Sequence, residues 1–216
     1  MLFEGLLPRI QITVPPGGPP ASIEASSLFF GGDAPQPTTI SLEIGFGGGE
    51  HLIAWARKAP REGFLGAEPF VNGMAKMLAH IDDTGVTNIR LFAGDARRLV
   101  EALTDASLAR VFILFPDPWP KKRHHKRRYV QHDTLREIAR VLVDGGLLRI
   151  ASDIPAYIDW TLSHIATHSE FLAVARGTTN GSERPADWPP TRYEQKAREQ
   201  GRTSTYLEFR RKPRIG

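Results

Sequence analysis

Five carboxylates recur along the chain, each at the end of a short apolar run. They are Glu43, Glu68, Asp95, Asp117 and Asp153. A carboxylate accepts hydrogen bonds from hydroxyl and amino groups and stabilises a nearby positive charge. A single acid after a strand is commonly a helix cap or a turn residue, but like charges gathered at one edge of a sheet repel each other. Five of them therefore predict a ligand that brings hydrogen-bond donors or positive charge.

A run of glycines follows the first of these acids. The stretch EIGFGGGE places Gly45, Gly47 and Gly49 where a ligand can approach the backbone closely. A dinucleotide fingerprint requires a third glycine where Glu50 stands, and an acid so close would repel its pyrophosphate. A cofactor with an amino group, a ribose and a sulfonium charge, but no phosphate, fits an acidic crevice better. We therefore predict S-adenosylmethionine as the cofactor.

Two of the acids have specific places in such a site. Glu68 ends the second predicted strand, where a carboxylate can accept hydrogen bonds from both ribose hydroxyls. Asp95, in the sequence GDA at 94–96, is placed to accept a hydrogen bond from the adenine amino group. The sequence therefore predicts a cofactor site at the carboxyl edge of a parallel sheet.

The FPDPW turn, residues 115–119, follows the fourth predicted strand. Pro116 and Pro118 fix the backbone on either side of Asp117, whose carboxylate has few local donors. Such a turn can present its acid to the N–H edge of a nucleobase. Trp119 can either stack on that base or brace the turn, and both roles stay open at this point.

A basic segment, residues 121–128, follows this turn at once. Six of its eight residues are Lys or Arg, and His124 and His125 are the other two. The whole chain carries a net charge of +4, so the rest of it is slightly acidic. Positive charge clustered on such a body indicates a polyanionic partner, the alternative being a solvated loop. Because the segment adjoins the FPDPW turn, we predict that it contacts phosphates.

The elements that must position these residues alternate between strands and helices. Predicted strands cover 40–45, 63–68, 88–95, 110–117 and 147–153, with a hairpin-like pair at 171–176 and 205–211. Predicted helices cover 50–59, 70–85, 97–104, 134–146 and 155–168. This rhythm is typical of a doubly wound α/β fold: a mostly parallel, seven-stranded sheet with helices on both faces and an antiparallel last pair.

Proline, glycine and helix-capping residues predict the boundaries of the domain and of one helix. Residues 1–39 are rich in Pro and Gly and are expected to be an irregular lead-in, whereas 40–216 are expected to form one domain. In the helix predicted at 134–146, Thr134 and Glu137 have the spacing of a capping box. Two glycines at 145–146 are expected to end that helix.

Composition excludes several classes of protein. The chain has 216 residues and no cysteine, which excludes disulfides, thiolate metal sites and a cysteine nucleophile. Its apolar runs are too short to cross a bilayer and its first residues do not resemble a secretory leader, so we expect a cytoplasmic protein. His164 and His168 lie one helical turn apart without a third ligand, so we expect no metal site.

Several motifs together resemble one known family. In order and spacing, seven stretches are similar to the pattern of the tRNA (guanine-N(7)-)-methyltransferase family. They are LEIGFGGGEHL, GAEPF, GDARRL, FPDPWPKKRHHKRR, GGLLRIASD, RP at 184–185 and TRYEQKAREQG. The match covers about residues 40–210, and the FPDPW turn with its basic segment is the most specific part. The resemblance implies a class I S-adenosylmethionine-dependent methyltransferase that converts a guanine in the tRNA variable loop to 7-methylguanosine.

The resemblance also implies roles for individual residues. Those expected at the cofactor are Glu43, Gly45, Gly47, Glu68, Asp95, Ala96 and Asp117, with Asp117 also expected to be catalytic. Those expected at the substrate are Lys121, Asp153, Thr191, Arg192, Tyr193 and Glu194. The expected RNA contacts are Arg123, His124, His125, Lys126, Arg127 and Arg128. Members of this family commonly carry phenylalanine at the position of Tyr193.

Three alternatives remain open from the residues themselves. An acid-Pro-aromatic turn also serves methyltransferases that act on exocyclic amino groups of RNA or DNA bases. A nicotinamide oxidoreductase shares the glycine run, but Glu50 and the row of acids disfavour it. A non-catalytic RNA-binding protein would explain the basic segment and leave the acids without a role. We expect tRNA as the partner, no membrane, no obligate protein partner, and a monomer or homodimer.

Overall fold

The strands form one mixed sheet. The computed structural model describes residues 2–15, 23–31, 36–174, 181 and 183–214. The strands are β1 (Ile40–Ile44), β2 (Gly63–Ala67), β3 (Ile89–Phe92), β4 (Leu108–Leu114), β5 (Leu142–Ser152), β6 (Phe171–Ala173) and β7 (Thr205–Arg211). Their order is β3-β2-β1-β4-β5-β7-β6. Strands β1 to β5 run parallel and β7 lies antiparallel between β5 and β6, which confirms the predicted fold class.

Helices cover both faces of this sheet. They are α1 (Leu2–Gly5), α2 (Leu7–Ile10), α3 (Glu50–Lys58), α4 (Val71–Thr84), α5 (Ala96–Ala102), α6 (His132–Val141), α7 (Pro155–Ile165) and α8 (Arg192–Glu199). Buried residues of α5, α6 and α7 share one hydrophobic cluster with the sheet. Those of α3 and α4 share a second cluster, together with Trp188 from the segment before α8. The carboxyl edge of the sheet therefore lies between two layers of helices.

The central strands are apolar because both of their faces are covered. All five residues of β1 and all five of β2 are buried. A strand covered on one face alone would alternate polar and apolar residues instead. On the helices, apolar residues recur at helical spacing, as Leu52, Trp55 and Ala56 do on α3. Gly85, with a φ of 66°, ends α4 as its sequence predicts.

The predicted end of α6 is wrong. The helix ends at Val141, and Gly145 and Gly146 lie within β5 instead of ending the helix. The physical reason is that Leu142 pairs with Leu108 of β4, so the chain already belongs to the sheet at that point. The two glycines lie at the place where the register between β4 and β5 shifts.

The start of α6 also differs from the prediction. Gln131 is the N-cap residue, and its backbone N–H donates to the Thr134 hydroxyl oxygen over 3.0 Å. Gln131 and Thr134 therefore form the capping box, and Glu137 takes no part in it. Glu137 instead pairs with Arg140, at 2.8 Å, one turn further along the helix.

The first residues contribute to the core. The described part of the predicted lead-in holds α1, α2 and a 3-10 turn over Ala25–Phe29. Ile12, Ala25 and Phe29 are buried in the cluster on the α5–α7 face. A backbone bridge connects Gln11 to Leu91 of β3. The lead-in therefore packs against the sheet, and the domain boundary at residue 39 stays a prediction.

The edge strand β6 is shorter than predicted. The prediction of 171–176 holds over Phe171–Ala173, and residues 175 and 176 lie outside the described residues. Phe171 is buried and Leu172 is exposed, as expected for a strand covered on one face. None of the helices in the described ranges is long and apolar enough to cross a membrane.

Asn88 ties the end of α3 to the start of β2. Its Nδ2 donates to the carbonyls of Ala56, Ala59 and Glu62 over 2.8–3.2 Å, and the residue is 7% exposed. We expect Asn88→Ala to lower the free energy of unfolding by about 2 kcal/mol. Asn88→Asp should lower it further, because a carboxylate would face three carbonyl oxygens. Urea denaturation measures this order, and an Asp variant as stable as wild type would contradict it.

Candidate functional site

A cavity of about 530 Å³ opens at the carboxyl edge of the sheet. The ends of β1, β2 and β4 and the starts of α4, α5 and α8 line it. Ligands of doubly wound folds bind at this edge, and small-molecule sites have this size. The predicted site residues that line the cavity are Gly45, Gly47, Glu68, Asp95, Ala96, Asp117, Arg127, Arg192 and Tyr193.

The loop after β1 forms one wall of the cavity. Gly47 has a φ of 56°, a conformation that favours glycine, and a Cβ there would lie 3.2 Å from the Tyr193 ring. A Cβ at Gly73, in the first turn of α4, would come within 2.6 Å of the Gly47 carbonyl oxygen. The loop is therefore packed between α4 and Tyr193. Its surface is bare backbone that a ligand can approach closely.

Glu68 lies on the floor of the cavity and is 5% exposed. Its two carboxylate oxygens accept hydrogen bonds from the backbone N–H groups of Gly47, over 2.9 Å, and Phe70, over 3.0 Å. Burial raises the pKa of Glu68, and the nearby charge of Asp117 raises it further, although the two backbone bonds oppose the shift. Each oxygen retains a lone pair for a ligand hydroxyl.

Asp95 has a structural role in addition to its predicted contact with the adenine amino group. It is the N-cap residue of α5, and its carboxylate accepts from the Arg97 backbone N–H over 3.0 Å and from the Arg97 guanidinium over 3.1 Å. Asp95 and Ala96 both line the cavity. The cap fixes the direction in which the carboxylate faces the cavity.

The FPDPW turn is held in an unusual backbone conformation. Phe115 and Trp119 have φ angles of 50° and 42°, in the left-handed region that non-glycine residues rarely adopt. The Phe115 N–H donates to the Ala151 carbonyl over 2.7 Å, which continues the sheet into the turn. Asp117 is exposed and lines the cavity. Strain of this kind clusters at functional sites, and here it presents a carboxylate to the cavity.

Trp119 lines the cavity beside Asp117. The Arg127 guanidinium lies 4.9 Å from the centre of its ring, and the ring centre of His124 lies 5.9 Å from that of Trp119 in an edge-to-face arrangement. The tryptophan is therefore packed by the basic segment and also forms part of the cavity wall. A role in bracing the turn and a contact with a ligand are compatible at this position.

Glu43 does not line the cavity. It is 3% exposed, and its carboxylate accepts a hydrogen bond from His51 Nδ1 over 2.7 Å. Trp55 Nε1 donates to His51 Nε2 over 3.1 Å, so the ring proton of a neutral His51 lies on Nδ1. Successive side chains of a strand point to opposite faces, and it is the neighbouring Ile44 that lines the cavity. The cofactor contact of Glu43 stays a prediction, and its placement favours a structural role.

Several residues expected at the substrate also lie outside the cavity lining. Asp153 follows β5 and pairs with Arg202 over 2.5 Å. Lys121 is exposed at the start of the basic segment. Thr191 caps α8, accepting from the Glu194 N–H over 3.0 Å. Glu194 is buried, so within this group only Arg192 and Tyr193 reach the cavity.

The basic segment forms a 3-10 turn over Lys122–Arg127. Arg123, Lys126 and Arg127 are exposed, as an RNA contact requires. His124 is half-buried against Trp119, and His125 is half-buried with its ring centre 5.3 Å from that of Trp160. The two histidines therefore hold the segment to the body of the protein, and its cations face outward.

Arg128 is the exception within the basic segment. It is 3% exposed, and its guanidinium lies 4.8 Å from the Trp160 ring and 5.6 Å from the Tyr157 ring. Its Nε donates to the Pro118 carbonyl over 2.9 Å. The sequence predicts an RNA contact for Arg128, but its burial turns the guanidinium toward the FPDPW turn and away from solvent. A run of like charges carries no signal that one of its members is buried.

Trp119, for which the sequence leaves a base contact open, lines the cavity together with residues for which no site contact is predicted. The latter are Ile44, Gly48, Ala67, Pro69, Phe70, Asn72, Gly73, Lys76, Arg97, Ile113, Phe115, Pro116, Tyr129 and Lys196. Lys76 and Lys196 are the most informative, because each places a positive charge at the cavity. Their sequence signal is weak: Lys196 lies one helical turn after Arg192, and Lys76 is an ordinary polar residue in an amphipathic helix.

Three histidines form a stacked group away from the cavity. His132 lies 4.6 Å from His164 and 5.6 Å from His168 between ring centres. Burial lowers the pKa of His164 and of His168, which favours neutral rings. Within the described residues, no group of three or more His, Asp or Glu side chains is arranged to hold a metal ion.

The sequence is similar to methyltransferases along nearly its whole length. The family described as "Putative methyltransferase" matches residues 37–207. A tRNA (guanine-N(7)-)-methyltransferase of Rhodospirillum rubrum is 48% identical over 214 residues, which cover 99% of this chain and 82% of that protein. A protein of the same name from Rhizobium meliloti is 46% identical over 210 residues, which cover 97% of this chain and 87% of that protein.

Solved structures share the fold at much lower identity. An rRNA methylase of Streptococcus thermophilus superimposes with a TM-score of 0.54 at 14% identity, over 81% of this chain and 87% of that one. That likeness concerns the arrangement of strands and helices. The matches in sequence go further, because they extend over the glycine loop, the FPDPW turn and the basic segment alike. This chain belongs to the tRNA (guanine-N(7)-)-methyltransferase family.

Proposed function

We propose that this chain transfers the methyl group of S-adenosylmethionine to N7 of a guanine in tRNA, giving 7-methylguanosine. The observation that carries the proposal is the placement of Asp117. Its carboxylate is exposed on a fixed turn and lines the same cavity as Glu68, and the basic segment begins four residues later in the chain. The relatives of the chain are named for this reaction. An acid for a base, a cofactor cavity and charge for phosphates thus lie together.

The residues of the cavity fit S-adenosylmethionine. Glu68 offers carboxylate lone pairs to ribose hydroxyls, and Asp95 offers them to the adenine amino group. The bare backbone at Gly45 and Gly47 leaves room for the rest of the molecule. When bound, the cofactor supplies an electrophilic methyl group on a positively charged sulfur. The acidic floor favours that charge.

Guanine N7 carries a free lone pair, so no base has to remove a proton from it. The protein has to orient N7 toward the methyl group and stabilise the positive charge that develops on the ring. Asp117 does both when its carboxylate accepts hydrogen bonds from the N1–H and the amino group of guanine. This contact also selects guanine over adenine, which has no proton on N1.

The base must leave its stack to reach Asp117. Trp119, in the cavity wall, offers an aromatic surface to a base that has left its stack. Arg123 and Lys126 are exposed within nine residues of Asp117 in the chain, where they meet the phosphates of the same strand. Phosphate contacts of this kind position the RNA, and the carboxylate reads the base.

Incubation with unmodified tRNA and methyl-labelled S-adenosylmethionine tests the proposal. Nucleoside analysis of the product should show 7-methylguanosine. A product methylated on an exocyclic amino group would favour the alternative class of base methyltransferase. If the protein binds S-adenosylmethionine but the tRNA stays unlabelled, the proposed substrate is wrong.

The Asp117→Asn variant tests the role of the carboxylate. We expect kcat to fall about 100-fold, because a neutral amide neither stabilises the developing charge nor accepts both guanine donors. The affinity for tRNA should change little, because phosphate contacts dominate it. Asp159→Asn is the matched control, since Asp159 is exposed on α7 and does not line the cavity. Undiminished turnover in Asp117→Asn would contradict the role.

The double variant Arg123→Gln/Lys126→Gln tests the basic segment. We expect weaker tRNA binding and a smaller slope of log affinity against log salt, by up to about 0.9 for each phosphate that the variant no longer neutralises. Filter binding at several salt concentrations measures that slope, and calorimetry measures cofactor affinity, which should stay unchanged. Arg57→Gln/Arg61→Gln removes the same charge from exposed positions near the C-terminal end of α3. An equal decrease in slope in the two double variants would show that the segment contributes only net charge.

A further inference from the structure

Five cations line the cavity, and they come from opposite faces of the sheet. They are Lys76, Arg97, Arg127, Arg192 and Lys196. The residues Arg97 and Arg127 belong to α5 and the basic segment, on the face of the first hydrophobic cluster. The other three belong to α4, on the face of the second cluster, and to α8, whose Tyr193 lies against Gly47 beside α4. The cavity opening therefore has positive charge on two sides.

The first side is continuous with the basic segment. Arg97 Nη2 donates to the Arg128 carbonyl over 3.3 Å, and its guanidinium lies 5.2 Å from the Tyr129 ring. Arg127 packs on Trp119. These contacts place Arg97 beside the basic segment, to which Arg127 belongs, and Arg97 is also paired with Asp95 over 3.1 Å.

The second side is separate from that segment. Lys76 lies on α4, and Arg192 and Lys196 lie one turn apart at the start of α8. The two helices approach each other at the glycine loop, where Gly47 is packed between Gly73 of α4 and Tyr193 of α8. We call Lys76, Arg192 and Lys196 the α4/α8 cluster.

The three residues of the α4/α8 cluster are exposed, and they differ from the neighbouring exposed arginines in having no carboxylate partner among the described residues. Arg184 and Arg198 pair with Glu194 over 3.2 and 3.4 Å. Within the described ranges, no carboxylate forms an ion pair with any of the three residues of the cluster, and Lys196 lies 5.8 Å from the Tyr193 ring. Unpaired cations at the mouth of an acid-floored cavity favour an anionic ligand.

We propose that the α4/α8 cluster is a second phosphate-binding site, which contacts the tRNA backbone on the opposite side of the target nucleotide from the basic segment. The inference rests on the proposed function. A nucleotide drawn into the cavity keeps a phosphate on both its 5′ and 3′ sides, and both stay at the cavity mouth. Cations on one side could hold only one of them. The α4/α8 cluster supplies the other contact.

The triple variant Lys76→Gln/Arg192→Gln/Lys196→Gln tests this site. Filter binding of unmodified tRNA across a salt series should show an affinity weakened by about 10-fold or more and a slope reduced by about 2. The matched control is Arg57→Gln/Lys58→Gln/Arg61→Gln, which removes three exposed charges near the C-terminal end of α3. Combining the triple variant with Arg123→Gln/Lys126→Gln should add the two reductions in slope.

The outcomes separate this inference from the proposed function. If wild type forms no 7-methylguanosine, the proposed function fails whatever the slopes are. If wild type forms it and the triple variant keeps the wild-type slope, the second site is wrong. A weaker affinity for S-adenosylmethionine with an unchanged tRNA slope would show that the cluster binds the carboxylate of the cofactor, which also overturns the inference.

An independent observation concerns Arg128. Its side chain is buried, and its Nε bonds to Pro118 in the middle of the FPDPW turn. The rings of Trp160 and Tyr157, both on α7, lie against its guanidinium. We infer that Arg128 is a positioning residue, which fixes Asp117 by holding the next carbonyl of the chain against α7. This burial separates the Arg128 guanidinium from the exposed cations of the basic segment.

The variants Arg128→Gln and Arg128→Lys test the positioning role against an RNA contact. Both should lower kcat about 10-fold, because neither side chain reproduces the stacked, planar donor. Both should leave the salt slope of tRNA binding at its wild-type value, whereas Arg123→Gln should lower the slope. Melting temperatures and cofactor affinity identify a variant that fails to fold, in which case the Lys variant carries the test. A wild-type kcat in a folded variant, or a slope lowered as in Arg123→Gln, would overturn the inference.

Discussion

The buried carboxylate of Glu68 is the constraint on which the site depends. It accepts from the N–H of Gly47, in the loop after β1, and from the N–H of Phe70, just before α4. The two bonds set the distance between that loop and that helix, and Gly73 fits there because it has no side chain. Burial raises the pKa of this carboxyl, since two backbone donors offset its lost hydration only in part. Ligand hydroxyls would supply the missing donors. The same carboxylate therefore fixes the loop to the helix and offers a contact to the cofactor.

Charge at the cavity is ordered by the elements that carry it. The carboxylates Glu68, Asp95 and Asp117 follow the ends of strands, and the cations lie on helices and on the basic segment. A nucleotide beside a sulfonium cofactor requires this order, because its phosphates stay outside while the methyl donor and the base edge, rich in donors, lie within. The same order disfavours a dinucleotide, whose pyrophosphate would lie at the glycine loop and the start of α3, where the charge of Glu50 opposes it.

The sequence predicts the fold and the cavity floor better than it predicts the individual contacts. Strand-helix alternation predicts the sheet, and the acids Glu68, Asp95 and Asp117 meet at one edge because parallel strands end there. Glu43 has the same spacing, but the parity of β1 turns its side chain toward His51. The partner of Asp153 is Arg202, distant in the chain, so no local pattern could indicate that the acid is paired. Tertiary pairing decides such cases, and spacing cannot encode it.

The burial of Arg128 changes how the FPDPW turn and the basic segment work together. The bond to Pro118 and the bond from Arg97 to the Arg128 carbonyl join the turn, the segment and the start of α5 into one unit. A phosphate held by Arg123 or Lys126 therefore acts on the same rigid unit that carries Asp117. Binding energy gained at the phosphates can then be used to orient the guanine, which raises kcat more than it raises affinity. An acid beside a run of cations therefore matches the base and the phosphate of a nucleotide. It also couples the binding of the phosphate to the orientation of the base.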